Sequence, residues 1–158
     1  MAEVRVTRTI TAPPERVWPL LADPTRWPEW LPGITTSEVT AGPVEGVGRR
    51  QRLDAAYAGQ HGEIELRITD WEPRRRIGWV HTAERIGGKQ QNFAKDIRTI
   101  ITLTPAGTGT ELQVEGSWEP VGIMGKMLGK TLVQSRAEGM LGGAAENLER
   151  LAREGSRG

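Results

Sequence analysis

The clearest periodic pattern lies in the last third of the chain, over residues 120–153, and it predicts the element around which the rest is organised. This stretch contains no proline after Pro120 and is rich in residues that favour helix. In its second half, apolar residues recur at intervals of three or four: Val133, Ala137, Leu141, Ala144, Leu148 and Leu151. Charged residues lie mostly off this stripe, so the pattern predicts an amphipathic helix with one side on a core.

The first half of the same stretch carries a second, displaced stripe. Val121, Met124, Leu128 and Leu132 also have helical spacing. At about 100° per residue, they project roughly to the opposite side of the helix. The pattern predicts either a helix that bends or breaks between about Leu132 and Gly139, or a first half with apolar neighbours on a second side.

Before this helix, apolar and polar residues alternate with a period of two, which predicts strands. The first strand covers residues 3–11, and two short helices follow, one over 15–21 and a brief one that begins at Pro24 after the capping residue Asp23. Further strands are predicted at residues 34–39, 49–57, 63–71, 76–84, 92–104 and 111–118. Turns are predicted at residues 59–62, 72–75, 87–88 and 105–109. Such short connections form hairpins and therefore an antiparallel sheet.

The order of elements predicts an α+β fold. A curved antiparallel sheet of about six to seven strands wraps around the long C-terminal helix, and two short helices follow the first strand. At 158 residues, the chain is predicted to form one domain over 1–158, with 154–158 as a frayed tail.

The composition narrows the classes of function. There are 21 basic and 20 acidic side chains, a net charge of +1, which argues against a nucleic-acid binder. Because the chain has no cysteine, disulfides and thiolate chemistry are excluded. Neither a signal peptide nor an apolar run of membrane-spanning length is found, so a cytoplasmic location without an integral membrane segment is predicted. No phosphate-binding loop, metal-ligand cluster or nucleophilic serine motif is found, so neither a cofactor nor a metal is predicted.

Four segments resemble one known family. They read Ile-Thr-Ala-Pro-Pro-Glu-Arg-Val-Trp at residues 10–18, Asp-Pro-Thr-Arg-Trp-Pro-Glu-Trp at 23–30, Trp-Glu-Pro-Arg-Arg-Arg-Ile at 71–77 and Asn-Leu-Glu-Arg-Leu at 147–151. They are similar to segments of the polyketide cyclase/dehydrase and lipid-transport family, within the START-like (SRPBCC), birch-pollen-allergen-like superfamily. The resemblance spans about residues 4–153 and implies a single START-like ligand-binding domain. Its helix-grip fold would hold a deep, mainly apolar cavity between the long helix and the sheet.

Aromatic and flexible apolar side chains are the candidates for the cavity lining. The chain contains six tryptophans but only one tyrosine and one phenylalanine. Each buried tryptophan needs a large apolar space and a hydrogen-bond partner for its N–H group. Trp27 and Trp30, three residues apart, either line the cavity mouth or anchor the short helices on the core. The predicted ligand-binding set is Trp27, Trp30, Trp79, Ile101, Trp118, Met124 and Met127.

The polar candidates are His81, Arg52 and Tyr57. If the strand face that Trp79 shares with His81 is concave, a neutral imidazole inside the pocket would hydrogen-bond a ligand oxygen or act as a base. Otherwise His81 is an exposed residue near a strand end. Arg52 and Tyr57 come from one strand region. A cavity-facing Arg52 would bind a carboxylate, phenolate or enolate oxygen, whereas on the outer face it is solvated.

Three functions remain open at this stage, since one fold carries many activities. The first is binding of a small hydrophobic or aromatic ligand, such as a polyketide, quinone or lipid, with a homodimer left open. The second is an aromatase/cyclase or dehydratase, in which Arg52 or Tyr57 stabilises an enolate and His81 moves protons. No two of these residues form an acid–base pair by spacing. The third is a regulatory or chaperone-like module that acts through the displaced stripe.

Overall fold

The computed structural model describes residues 1–57, 59–128 and 133–155. Its strands are β1 (Ala2–Ile10), β2 (Ile34–Ala41), β3 (Arg50–Tyr57), β4 (Gln60–Glu72), β5 (Arg76–Ile86), β6 (Lys89–Gln90), β7 (Ala94–Ala106) and β8 (Gly109–Pro120). Its helices are α1 (Pro14–Ala22), α2 (Trp27–Trp30), α3 (Gly122–Leu128) and α4 (Gln134–Gly155), with a single 3₁₀ turn at Pro24–Arg26 before α2.

All strands belong to one antiparallel sheet, in the order β1-β8-β7-β5-β4-β3-β2, with the two-residue β6 paired to β5. The sheet curves around α4, which lies against β1, β8, α1 and α2. The predicted α+β fold, with two short helices after the first strand and a long helix at the end, is therefore confirmed. The prediction of six to seven strands missed only β6, because two exposed residues carry no periodic signal.

Several predicted boundaries are wrong, and each error has a local cause. The turn predicted at 59–62 is strand from Gln60 onward, because β4 continues its pairing with β3 to the end of the hairpin. The loop predicted at 105–109 shrinks to two residues, since Ala106 pairs with Gly109. α4 runs through Gly155, so the predicted tail cannot begin at 154, and residues 156–158 lie outside the described residues.

Both halves of the C-terminal stretch contain helix, α3 in the first half and α4 in the second, and residues 129–132 between them lie outside the described residues. α4 is continuous from Gln134, so no break falls between Gln134 and Gly139. Leu132 lies outside the described residues, as do the side chains of Met124 and Leu128.

α4 supplies the core with one strip of side chains. The buried members are Leu141, Ala144, Ala145, Leu148 and Ala152. Val133 and Ala137, which begin the predicted stripe, are only partly buried. The helix therefore packs tightly on the sheet along its C-terminal part and less tightly near its start.

Two glycines allow α4 to approach its neighbours closely. A Cβ atom on Gly116 of β8 would lie 3.0 Å from Cδ1 of Leu141. A Cβ atom on Gly143 would lie 2.9 Å from Cγ of Pro32, in the loop after α2. A side chain at either position would require a neighbouring atom to shift, so both glycines permit the close approach of α4 to the rest of the fold.

Polar contacts hold α4 in register. Asn147 Nδ2 donates to the backbone carbonyl of Trp30 over 3.1 Å. The guanidinium of Arg8, on β1, pairs with the carboxylate of Glu149.

The buried arginine of the fold is Arg49, at the entry to β3. Its Nη1 donates to the carbonyl oxygens of Ala22 (2.7 Å) and Val44 (2.9 Å), and its Nε donates to Gln51 (2.8 Å). The guanidinium lies 5.1 Å from the ring centre of Trp71. Burial lowers the pKa of Arg49 to about 10, so the group remains charged at neutral pH. Arg49 thus links the end of α1 to the β2–β3 loop.

Truncating the centre of the α4 strip should cost a large share of the stability. Leu148 has no exposed surface, so Leu148→Ala leaves a cavity and lowers the free energy of unfolding by about 2–5 kcal/mol. Urea denaturation measures the change. Glu138→Ala, on the exposed side of the same helix, should change it by less than about 0.5 kcal/mol. Equal stabilities for the two variants would contradict the packing described.

Replacing Arg49 by lysine keeps the charge but loses the planar set of donors. An ammonium group cannot reach the two carbonyl oxygens and Gln51 together, so Arg49→Lys should lower the free energy of unfolding by about 1–3 kcal/mol. Arg50→Lys, at the adjacent exposed position, is the matched control. Thermal and urea unfolding of both variants measure the difference, and identical curves would argue against the bonding assigned to Arg49.

Candidate functional site

A cavity of about 440 Å³ lies between the start of α4 and the inner face of the sheet. Its walls come from the start of β2, from β3, β4, β5, β7 and β8, from the loop after α2 and from α4. Most of the lining is apolar, including Leu31, Ile34, Leu53, Ile64, Trp79, Ile86, Phe93, Ile97, Trp118, Ala137, Met140 and Leu141. The cavity occupies the region where α4 stands away from the sheet.

Trp79 and Trp118 are the predicted tryptophans that line the cavity. Both face inward, Trp79 from β5 and Trp118 from β8, and both are almost completely buried. Thr99 of β7 lies directly opposite Trp79 in the strand pairing and also lines the cavity. These residues form flat apolar surfaces beside a hydroxyl group.

Trp27 and Trp30 lie behind the cavity wall and act as anchors. Their indole N–H groups donate to the backbone carbonyls of Leu21 (2.9 Å) and Leu20 (2.8 Å) near the end of α1. The ring centre of Trp27 is 4.6 Å from that of Trp79. Of the two interpretations of this pair, the anchoring one agrees with the structure, because neither ring is part of the lining.

The sheet opens on one side of the cavity, between β5 and β7. The two strands pair only where residues 76–80 face residues 98–102. Beyond this point both strands are irregular. β5 carries a bulge at Thr82 relative to β4, and β7 carries one between Lys95 and Arg98, where Asp96 has a φ of 51°. Thr82 and Asp96 both lie just beyond the last pair, Val80 with Arg98, at the point where the pairing of β5 with β7 ends.

The bulge at Thr82 decides which side chains of β5 face the cavity. Leu66 pairs with His81, while Ile64, two residues away on the same inner face of β4, pairs with Glu84. Directly opposed residues of antiparallel strands point to the same face. His81 and Glu84 are three residues apart and would lie on opposite faces of a regular strand, yet the extra residue places both inside.

His81 and Glu84 contact each other within this lining. Nδ1 of His81 is 3.3 Å from Oε2 of Glu84, and their side chains are 17% and 12% exposed. Both residues line the cavity. Regular alternation would place these two positions on opposite faces of the strand, so the sequence pattern does not indicate an acid–base pair. The only signal in the sequence is the presence of a second polar residue three positions after His81.

Arg52 does not face the cavity, and the hypothesis that it binds a ligand oxygen there is wrong. It alternates with Leu53 on β3, and Leu53 points inward. Its Nη2 instead pairs with Glu63 (2.9 Å) and Asp54 (3.4 Å) on the outer face of the sheet. Arg49 is the inward-facing arginine of this region, but it does not line the cavity either.

Of the remaining predicted residues, Met127 and Ile101 are described and are not part of the lining. The side chains of Tyr57 and Met124 are outside the described residues. Met127 on α3 is 71% exposed. Ile101 is fully buried within the core, behind the cavity wall.

A histidine and two carboxylates meet on the outer face, in the described part of the sheet. Asp54, His61 and Glu63 each bring one potential ligand atom within 4.8 Å of the others. Arg52 already pairs with both carboxylates, and Arg85 also pairs with Glu63 (3.5 Å). Hydrogen bonds from Thr36 and His61, together with the charge of Arg52, lower the pKa of Asp54. The group is therefore a charge-balanced surface network in this structure.

A second depression, of about 510 Å³, lies on the outer face of β1, β7 and β8. Half of its eight lining residues are charged, namely Glu3, Arg5, Arg98 and Glu115, and Arg5 and Glu115 pair over 3.3 Å. Such a surface is well solvated, so the inner cavity is the better candidate for an apolar ligand. Across the described ranges, no helix combines the length and apolar character needed to cross a membrane.

Solved structures with the same fold cover almost the whole chain. TTHA0849 from Thermus thermophilus is 25% identical, with a TM-score of 0.77 over 98% of this chain and 99% of that one. A START superfamily protein from Mycobacterium smegmatis is 20% identical, with a TM-score of 0.76 over 96% and 97% of the two chains. Ara h 8.0201 is 14% identical, with a TM-score of 0.72 over 97% and 98%. No curated protein matches the sequence.

The family comparison agrees with the fold. Residues 1–153 match the family described as polyketide cyclase / dehydrase and lipid transport. The resemblance seen in the four sequence segments is thereby confirmed. The chain belongs to the polyketide cyclase/dehydrase and lipid transport family.

Proposed function

We propose that the protein binds a small hydrophobic or aromatic molecule in the cavity between α4 and the sheet. The supporting observation is the cavity itself, which has about 440 Å³ of space and a mainly apolar lining. Ligand sites in proteins commonly have volumes of about 300–1,000 Å³ and a few polar groups that orient the ligand. A polyketide, a quinone or a lipid-like molecule would fit this description.

Removal of apolar ligand surface from water would drive the binding, at about 25 cal/mol per Å². Trp79 and Trp118 would contact flat parts of the ligand, because aromatic rings pack well in offset or edge-to-face arrangements. Met140, which also lines the cavity, is a flexible side chain that can adapt to ligands of different shape. His81 and Glu84 would supply the polar contacts.

A second candidate function is a cyclase or dehydratase that acts on a poly-β-keto compound. The contact between His81 and Glu84 favours it, since an imidazole held by a carboxylate is a common general base. Arg52 has no part in this version, because it lies on the outer face. The cavity would hold the chain folded so that the reacting carbon atoms meet, which lowers the entropic barrier. Turnover of a β-keto substrate by the wild-type protein is the observation that would establish it.

Filling the cavity should weaken binding of an apolar probe. Ala137 lines the cavity from α4, so the indole of Ala137→Trp would occupy part of the space. If it keeps about 60 Å² of the probe in water, the loss is about 1.5 kcal/mol, or roughly tenfold in affinity. Fluorescence titration with the neutral dye N-phenyl-1-naphthylamine measures the affinity.

Ser135→Trp is the matched control, because Ser135 is an exposed residue of the same helix and the substitution adds the same side chain. Its affinity should equal that of the wild-type protein. Equal affinities for both tryptophan variants, or no binding of the dye by the wild-type protein, would count against the proposed site. Native mass spectrometry of the purified protein would identify a co-purified ligand.

A further inference from the structure

We propose that His81 and Glu84 together form the polar recognition point of the cavity and select ligands that carry an acidic hydroxyl group, a phenol or an enol. The inference rests on the proposed ligand-binding function and names the class of ligand. It starts from one observation, the contact between a histidine and a carboxylate inside a mainly apolar lining.

The position of this pair depends on a specific irregularity of the sheet. The bulge at Thr82 turns Glu84 to the inner face, beside His81. A charged group placed in such a lining loses hydration and is normally paired or hydrogen-bonded. The two side chains are mostly buried and line the cavity together with Phe93, Ile97 and Trp79. The polar atoms of the pair that do not contact each other are therefore available to a ligand in a mainly apolar space.

The hydrogen-bonding chemistry of the pair determines what it can accept. An ionised carboxylate only accepts hydrogen bonds, so Nδ1 of His81 must carry the hydrogen that lies between them. In the neutral imidazole, Nε2 is then an acceptor. Nε2 makes no hydrogen bond to any of the residues that the structure describes. A ligand that donates a hydrogen bond would satisfy it.

An acidic hydroxyl group fits this acceptor better than other polar groups. Ethers and ketones cannot donate a hydrogen bond to Nε2, and neither can an ionised carboxylate, which only accepts. As the ligand O–H bond polarises, positive charge develops on the imidazole, and Glu84 stabilises it in a site with little water. Glu84 therefore acts as a positioning residue that sets the tautomer of His81 and increases the strength of its hydrogen bond.

A pair of probes that differ in their capacity to donate a hydrogen bond tests the inference. 2-Naphthol and 2-methoxynaphthalene have the same ring system, but only the first donates a hydrogen bond. We expect the wild-type protein to bind 2-naphthol about tenfold more tightly, as measured by calorimetry or by displacement of N-phenyl-1-naphthylamine. The ratio of the two affinities isolates the polar contact from the apolar contribution.

Two variants test whether the preference for 2-naphthol comes from His81 and Glu84. Glu84→Gln keeps the shape and one acceptor but removes the charge, so the ratio should fall several-fold while 2-methoxynaphthalene still binds. The double variant with His81→Leu and Glu84→Leu replaces both polar groups with apolar ones, a change that is often neutral for stability. Its ratio should be close to one. If the double variant does not fold, Glu84→Gln alone decides.

The matched control is His61→Leu on the outer face. His61 also contacts a carboxylate, with Nε2 3.1 Å from Oδ1 of Asp54, but this pair does not line the cavity. The variant should keep the wild-type ratio. Equal binding of both probes by the wild-type protein, or an unchanged ratio in the double variant or in Glu84→Gln, would overturn the inference and leave the proposed cavity function intact. Failure of both probes to bind would instead remove the cavity function itself, and the inference with it.

Discussion

The packing of the apolar strip of α4 against the inner face of β1 and β8 is the constraint on which the rest of the structure depends. An amphipathic helix in a protein gains most of its stability from the packing of its apolar face rather than from helix propensity, so the stability of α4 depends on this contact. Leu141 reaches the sheet because Gly116 has no side chain in its way, and Leu148 is completely buried about two turns further on. Toward its start, the same helix stands away from the sheet, where Ala137 and Met140 line the cavity. One helix thus closes the core and covers the cavity.

The polar chemistry of the cavity depends on a departure from regular strand geometry. Without the bulge at Thr82, Glu84 would join Glu63 and Glu65 on the outer face, and His81 would stand alone inside. The tryptophans show a similar division of roles. Trp27 and Trp30 donate their N–H groups to α1 carbonyls and hold the short helices in place, while Trp79, packed against Trp27, presents a face to the cavity. Bulges of this kind often lie next to functional sites, because they redirect a side chain without disturbing the core.

Much of the fold follows from local patterns that the sequence displays directly. The alternation in β1, β4 and β8 and the three-to-four spacing in α4 identify which side of each element is buried, because burial of apolar surface dominates folding. Asp23 begins the turn before α2 as its capping chemistry predicts, since its carboxylate accepts from the backbone N–H of Thr25. These signals define the α+β class, and the four short segments that resemble the family point to the same fold.

The position of the cavity and the contact between His81 and Glu84 are determined only by the tertiary structure. Alternation predicts which face of the sheet a residue occupies only while the strand register is regular. A bulge shifts the register without changing the hydrophobic pattern, so Glu84 could not be recognised from the sequence as a residue that faces the cavity. Arg49 and Arg52 look alike in the sequence, yet one is buried against Trp71 and the other is paired on the outer face. The sequence by itself determined which elements form and which sides they bury. The distance between α4 and the sheet, and therefore the space for a ligand, depends on contacts between residues far apart in the chain, which no local pattern records.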